Sequence, residues 1–245
     1  EPGDSKKEKE FDRELARVAR LNLAAWKRII PPRVAAFPLT VQPLAAALLP
    51  DGKQMLTAGR NYQLILWDTT TREKVRTYIV PRTVTLPGTA PALWSIALNR
   101  DATKIATGSS AGQIFVWDTD SPDCRLAFDG ISAEGKKHSD GNVYSVAFAP
   151  DGTLWATDGY DGIQQWDLSE KPKPKALARL APTQKDGDAN VNVCVLSADG
   201  AFAYTGNRSG NVREWNLTTK AMGRVWGAPG WVQDLNVSPD HAYLA

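Results

Sequence analysis

Serine, histidine, cysteine and aspartate are the side chains through which this chain could act as a catalyst or hold a metal, and their spacing argues against both. Gly108-Ser109-Ser110-Ala111-Gly112 matches the Gly-x-Ser-x-Gly pattern of a nucleophile elbow. An elbow requires a strand-to-helix turn, whereas the run Ile114-Phe115-Val116-Trp117 that follows reads as a strand, so the segment is expected to be a hairpin. Only His138 and His241 could serve as a base, and no order of triad residues supports either. No His/Cys spacing fits a zinc site. Cys124 and Cys194 do not define a disulfide framework, and Cys194 occupies the strand position of Ile96 and Val146, so a buried free thiol is expected. Asp51, Asp101, Asp151, Asp199 and Asp240 all start turns, where aspartate caps its own backbone rather than moving protons. The chain is therefore expected to be no enzyme, with no catalytic residues, no cofactor and no metal.

Two surface features also reduce to plain readings. Lys171-Pro172-Lys173-Pro174-Lys175 is held extended by its prolines and has no interleaved aromatics, which favours a solvated loop over a nucleic-acid contact. Three Asn-x-Ser/Thr sequons, at Asn207, Asn216 and Asn236, fall at repeat positions where asparagine suits a turn or a strand end.

The elements that carry these residues repeat. Trp67-Asp68, Trp117-Asp118, Trp166-Asp167 and Trp215-Asn216 follow one another at steps of 50, 49 and 49 residues, and each is preceded by a turn that begins with Asp. Self-similarity at such a period dictates an array of one supersecondary unit. The units read PLAAALLPDGKQMLTAGRNYQLILWD from Pro43, LWSIALNRDATKIATGSSAGQIFVWD from Leu93, VYSVAFAPDGTLWATDGYDGIQQWD from Val143 and VNVCVLSADGAFAYTGNRSGNVREWN from Val191. Each gives an apolar strand, an Asp-initiated turn, a second strand, a second turn and a third strand that ends at the tryptophan or just after it. A fourth strand follows, near Val75, Arg125, Ala176 and Met222. Four short antiparallel strands per repeat make the sheet of one propeller blade.

Residues 34–245 resemble the WD-repeat family of β-propellers, on the Trp-Asp pairs at this period and the Pro-Asp-Gly-like turns. The resemblance implies an all-β, partial propeller of four to five four-stranded blades. The family often places an Asp six residues before the tryptophan, hydrogen-bonded into a tetrad with Ser and Trp. Here that position holds Asn61, Ala111, Asp161 (one residue closer) and Ser209, and only His138 lies near the place of the family histidine. The tetrad is expected to be largely absent, leaving the blades to rely on packing of tryptophan and aliphatic residues.

Binding in such propellers tends to use the face around the central channel, through two positions per repeat. Mapped here, one set is Leu44, Trp94, Tyr144, Asn192 and Gln233, and the other is Arg60, Ser110, Tyr160 and Arg208. Trp, Tyr and Arg dominate binding hot spots, so Arg60, Trp94, Tyr144, Tyr160 and Arg208 are the candidate partner-binding residues. The competing reading is that Trp94 and Tyr144 fill space between blades. Trp67, Asp68, Trp117, Asp118, Trp166, Asp167, Trp215 and Asn216 are the structural repeat residues.

Composition sets the remaining bounds. The 245 residues are 42% hydrophobic and 9% aromatic, and the net charge of +2 mixes both signs, which gives no field for nucleic acid or an anionic membrane. No apolar run is long enough to span a bilayer. A fifth repeat opens at Asp240, so the chain is expected to be part of a longer protein whose last blade is open.

Residues 1–32 are expected to form a helical linker and 33–245 the propeller segment. From Glu8 to Ile30 there is no Gly or Pro, Pro31-Pro32 ends the run, and Phe11, Leu15, Val18, Asn22, Ala25 and Ile29 form a short stripe that could self-associate. The run LNLAAWKRIIPPRVAAF resembles the linker of bacterial receptor-like serine/threonine kinases with C-terminal WD repeats. The expected function is a non-enzymatic scaffold binding a protein or peptide, bacterial and cytoplasmic. The alternative is a docking or sensor domain of such a kinase.

Overall fold

Alternating apolar and polar residues, broken by Asp- and Gly-containing turns, give sixteen strands among the described residues of the computed structural model. The structure describes residues 37–39, 41–81, 92–131, 141–158, 160–169, 173–182, 190–238 and 243–245. The chain divides into two units, Glu1–Pro38 and Leu39–Ala245, and the second carries all the strands. The expected helix from Glu8 to Ile30, its self-association and the kinase-like linker lie outside the described residues, as do His138, Lys171, Asp240 and His241.

The strands form four antiparallel sheets, each a simple meander. The first is β1 (Pro43–Leu48), β2 (Gln54–Gly59), β3 (Leu64–Asp68) and β4 (Lys74–Thr77). The second is β5 (Leu93–Leu98), β6 (Lys104–Ser109), β7 (Gln113–Asp118) and β8 (Cys124–Asp129). The third is β9 (Val146–Phe148), β10 (Leu154–Thr157), β11 (Ile163–Asp167) and β12 (Lys175–Leu180). The fourth is β13 (Val191–Leu196), β14 (Phe202–Asn207), β15 (Asn211–Asn216) and β16 (Ala221–Gly227). Each repeat is thus one blade, and the four repeat tryptophans are the penultimate residues of the third strands, which end at Asp68, Asp118, Asp167 and Asn216.

Turn chemistry follows the repeat. Asp51, Asp101, Asp151 and Asp199 each accept the amide of the residue two positions on, at 2.9–3.3 Å. The residue after each tryptophan does the same for the outer turn: Asp68 accepts from Thr70 and Thr71, Asp167 from Ser169, and Asn216 from Thr218 and Thr219. These bonds favour the ionised carboxylate and hold Asp68 below its ordinary pKa, chiefly through the Thr71 and Thr70 amides. Asp118 instead faces Arg125 at 2.9 Å.

The core lies between consecutive sheets. One cluster joins Leu56, Leu64, Leu66 and Tyr78 of the first blade to Leu93, Ile105, Phe115 and Trp117 of the second. The next joins Ile114, Val116 and Phe128 to Val143, Leu154 and Trp166. The third joins Trp155, Ile163 and Leu180 to Val191, Cys194, Ala203 and Trp215. Trp67, Trp117, Trp166 and Trp215 are all buried. Burial also pushes the Cys194 thiol up to about 12, which leaves it protonated and inert at neutral pH.

Packing is not the whole of it, contrary to the expectation that the polar bonds of the tetrad are lost. Trp67 Nε1 donates to Thr57 Oγ1 at 2.8 Å, and Trp215 Nε1 to Thr205 Oγ1 at 2.9 Å. Trp117 Nε1 reaches back to the Ile79 carbonyl of the first blade at 3.1 Å. Trp166 Nε1 has no partner among the described residues, because Ala156 stands where the other repeats carry threonine.

The far face of the fourth sheet breaks the pattern. Tyr78, Phe128 and Leu180 occupy one outer-strand position and are 2%, 8% and 3% exposed, each against the next blade, whereas Trp226 at that position is 38% exposed. Among the described residues beyond it, Val232 and Leu235 pack on Tyr204 and Val212, Val237 bridges Leu244, and a cavity of about 750 Å³ is lined by Tyr204, Val212, Trp226 and Leu235. An apolar sheet face of this kind promotes association. Trp226→Ser is therefore expected to shift the isolated chain toward smaller species in sedimentation velocity. An unchanged distribution of a chain that self-associates would place the contact elsewhere.

Candidate functional site

The first strands of the blades stand side by side in chain order, and between them lies a cavity of about 500 Å³. Leu44, Trp94, Tyr144, Asn192 and Gln233, the inner-strand positions expected to face the channel, all line it. A bulge in the first-strand pairing at Pro43/Ala45, Leu93/Ser95 and Val191/Val193 recurs beside this position in three of the blades. The Tyr144 amide is fixed differently, by Thr157 Oγ1 at 2.9 Å.

Three repeats then meet in one row of side chains. The Trp94 and Tyr144 rings are 5.6 Å apart and tilted by 49°. Trp94 Nε1 donates to Asn142 Oδ1 at 2.9 Å, which sets the indole plane. Arg208 Nη2 donates to the Tyr144 hydroxyl at 2.6 Å. Its guanidinium carbon lies 5.3 Å from the Tyr144 ring centre and 5.3 Å from that of Trp231, within cation–π range of both rings. Trp231 itself is 63% exposed. Trp94 and Tyr144 thus touch across the seam between the second and third blades while both remain partly open to the cavity.

The other candidates stand apart from this row. Arg60 is exposed and its Nε donates to Gln42 Oε1 at 3.0 Å. Register places Arg60, Ser110 and Arg208 at one repeat position, each with its amide bonded to the preceding connection. Tyr160 falls one position further on. Its amide is bonded to Asp158 as the Ala111 amide is to Ser109; this hairpin is equally long in all four blades, and the third repeat is one residue shorter only in its first turn, between Phe148 and Leu154. Ser110 Oγ accepts the Ala92 amide, and Ser109 Oγ caps the turn to Ala111 and Gln113, so the elbow-like segment is a hairpin and presents no nucleophile.

Sequence reasoning passed over Trp231, which lies outside the aligned units, and Asp158. Asp158 is fully buried at the turn position of Ser109 and Asn207, and accepts the amides of Tyr160 and Gly162. Arg179 of β12 bonds Asp158 Oδ2 through Nε at 2.6 Å and Asp161 Oδ1 through Nη2 at 2.8 Å. Burial of Arg179 opposes its charge, but the Asp158 and Asp161 carboxylates outweigh it and raise the guanidinium pKa. It ties the turn to the outer strand and braces the third blade, whose tryptophan lacks its threonine. Among the described residues no group of three or more His, Cys, Asp or Glu side chains could hold a metal, and no helix is long and apolar enough to cross a membrane.

The model of the WD domain, G-beta repeat family matches residues 81–118 and 133–163, the second and third units. Those two units match the WD repeat, and the four meander sheets are blades of a β-propeller fold. Among solved structures, the crystal structure of the Cps50 (Swd1) β-propeller domain of Myceliophteria thermophila aligns with a TM-score of 0.68 at 15% identity, over 86% of this chain and 64% of that one. At that identity the likeness shows a shared fold. Autophagy-related protein 16 of Arabidopsis thaliana is 24% identical over 190 residues, 75% of this chain and 32% of that protein. Protein groucho of Drosophila melanogaster is 31% identical over 127 residues, 50% of this chain and 15% of that protein. The target of rapamycin complex subunit wat1 of Schizosaccharomyces pombe is 25% identical over 169 residues, 69% of this chain and 47% of that protein. The chain spans less than half the length of each of these curated relatives.

Proposed function

We propose that this WD-repeat chain is a non-enzymatic interaction scaffold that binds a peptide or protein partner at the mouth of its channel. The observation that carries the reading is the row Trp94–Tyr144–Arg208–Trp231, in which rings and a cation from three repeats converge beside a cavity. Tryptophan, tyrosine and arginine bury much area and still offer polar contacts, which makes such a group an anchor point for a partner. One similar protein bears the name of a complex subunit, in keeping with assembly rather than catalysis.

The test starts from partners retained by the wild-type chain, purified and measured against variants. Trp94→Ala and Tyr144→Ala are expected to weaken affinity by about 1–4 kcal/mol with unchanged circular dichroism. A control at Lys173 and Lys175, in the loop before and at the start of β12, should bind as wild type. Equal binding by the Trp94 and Tyr144 variants, or loss only in the lysine control, would move the site elsewhere.

A further inference from the structure

We infer that Thr157 is the positioning residue of the channel mouth: its buried hydroxyl, in place of a strand pairing, fixes the backbone of Tyr144 and with it the ring that meets Trp94. The inference rests on the channel mouth being the binding face and adds how that face is held in shape.

The first strand of the third blade starts late. β9 has three residues where β1, β5 and β13 have six, so Tyr144 lies ahead of the ladder rather than in it. Thr157 Oγ1 accepts the amides of Tyr144 at 2.9 Å and Ser145 at 3.2 Å, and the Thr157 amide donates to the Ser145 carbonyl at 2.9 Å. One buried side chain thus supplies the acceptor that a neighbouring strand would otherwise offer. Register puts Ala58, Gly108 and Gly206 at this position in the other blades, and none of them carries a hydroxyl. A Cβ on Gly108 would collide with the Val143 carbonyl, and one on Gly206 with the Val232 side chain. Val143 and Val232 give their amides to the turn residues Ser109 and Asn207, whereas Val191 bonds the Tyr160 carbonyl, two residues beyond the matching Asp158. The seam after the third blade is offset, and a threonine fits there.

The stretch that Thr157 holds also carries two of the contacts on Trp94. Asn142 Oδ1 accepts the indole N–H at 2.9 Å, and the Tyr144 ring lies 5.6 Å away. The Val143 amide ties this stretch to Ser109 of the second blade at 3.0 Å. Ser145 Oγ ties it to Cys194 of the fourth, accepting the amide at 3.1 Å and donating to the carbonyl at 3.2 Å. These two ties flank Tyr144, and the bond to its own amide comes from Thr157. A site that spends only part of its time in the competent arrangement loses affinity in proportion to that fraction.

The test uses the whole chain with fluorine-labelled tryptophan, the Trp94 resonance being the one lost in Trp94→Phe. Thr157→Val keeps the shape and removes the acceptor. Thr157→Ala removes it with the residue that the first blade carries there, and Thr157→Ser keeps the hydroxyl. The expected result is a shifted or broadened Trp94 signal in the valine and alanine variants, with the Trp117 and Trp215 signals unmoved, and a wild-type spectrum in the serine variant. Peptides selected by the wild-type chain from an array of short amidated sequences should bind the valine and alanine variants about tenfold more weakly and the serine variant as wild type. Trp166→Phe loosens the same blade at the opposite end of β11 and should leave both readouts unchanged. A wild-type Trp94 signal in the valine and alanine variants would overturn the inference, as would full affinity alongside a shifted signal. A serine variant that behaves like the valine one would overturn it too, because the methyl and not the hydroxyl would then set the ring. Peptides indifferent to Trp94→Ala and Tyr144→Ala, or an array with no binder, would overturn the binding face instead, and the Trp94 signal then decides the role of Thr157 on its own.

Discussion

Trp117→Ala is expected to lower stability by about 3–5 kcal/mol, the range for removing a fully buried large aromatic. Trp117 has no exposed surface, meets Tyr78 edge-on at 6.1 Å and lies 5.9 Å from Phe115. Its N–H also spans the seam to the Ile79 carbonyl, so the substitution empties a cavity and removes an inter-blade hydrogen bond at once. Urea denaturation followed by circular dichroism measures the loss. Trp166→Ala is the internal comparison, because its indole N–H has no partner among the described residues. It should cost less by about 1 kcal/mol, the net worth of one hydrogen bond. A Trp117 variant with an unshifted midpoint would show that the seam between the first two blades does not limit stability.

Asp158→Ala is expected to cost about 3 kcal/mol, the lower end for breaking a buried ion pair. The buried carboxylate holds two turn amides as well as Arg179, so its removal frees two backbone donors and half the clasp on the guanidinium. The cost stays at the low end because Arg179 keeps about a quarter of its side chain in water and retains Asp161. Asp158→Asn keeps one acceptor for the two amides but puts an NH2 group where Oδ2 accepts from Arg179, so it loses the ion pair while sparing the turn and should be destabilised less than the alanine variant. Thermal melts of the two variants beside Asp161→Ala separate these contributions. If Asp158→Ala melts no lower than Asp161→Ala, the turn amides are satisfied without it.

Much of the architecture was legible because it is local. The strand pattern has a period of two, the turns are written by Asp and Gly within a few residues, and tryptophan closes each third strand, so Trp67, Trp117, Trp166 and Trp215 could be placed by spacing alone. The inner-strand positions Leu44, Trp94, Tyr144, Asn192 and Gln233 came from the WD-repeat resemblance rather than from the strand pattern, and all five line the cavity. The polar bracing was not legible. Thr57 and Thr205 meet their tryptophans only across a strand pairing, at a sequence separation of 10 residues, and the motif reading looked for aspartate and serine at other positions. Asp158 was missed because Asp161 was matched across a gap assumed in this turn, whereas the missing residue lies in the turn before it, between Phe148 and Leu154. Register shows that Asp158 is the turn-capping residue and that Tyr160 is displaced along the turn.

The amino-acid sequence by itself determined that this chain repeats one four-stranded unit, that the unit is a propeller blade, and which residues turn and close it, because those features depend on neighbours a few residues apart. Only the tertiary structure decided which side chains meet between blades. Arg208 lies 64 residues from Tyr144, and Tyr144 lies 50 beyond Trp94. No local pattern relates them. They come together because successive blades bring their inner strands around a shared channel, and that radial placement turns three separate repeat positions into one row of rings and charge.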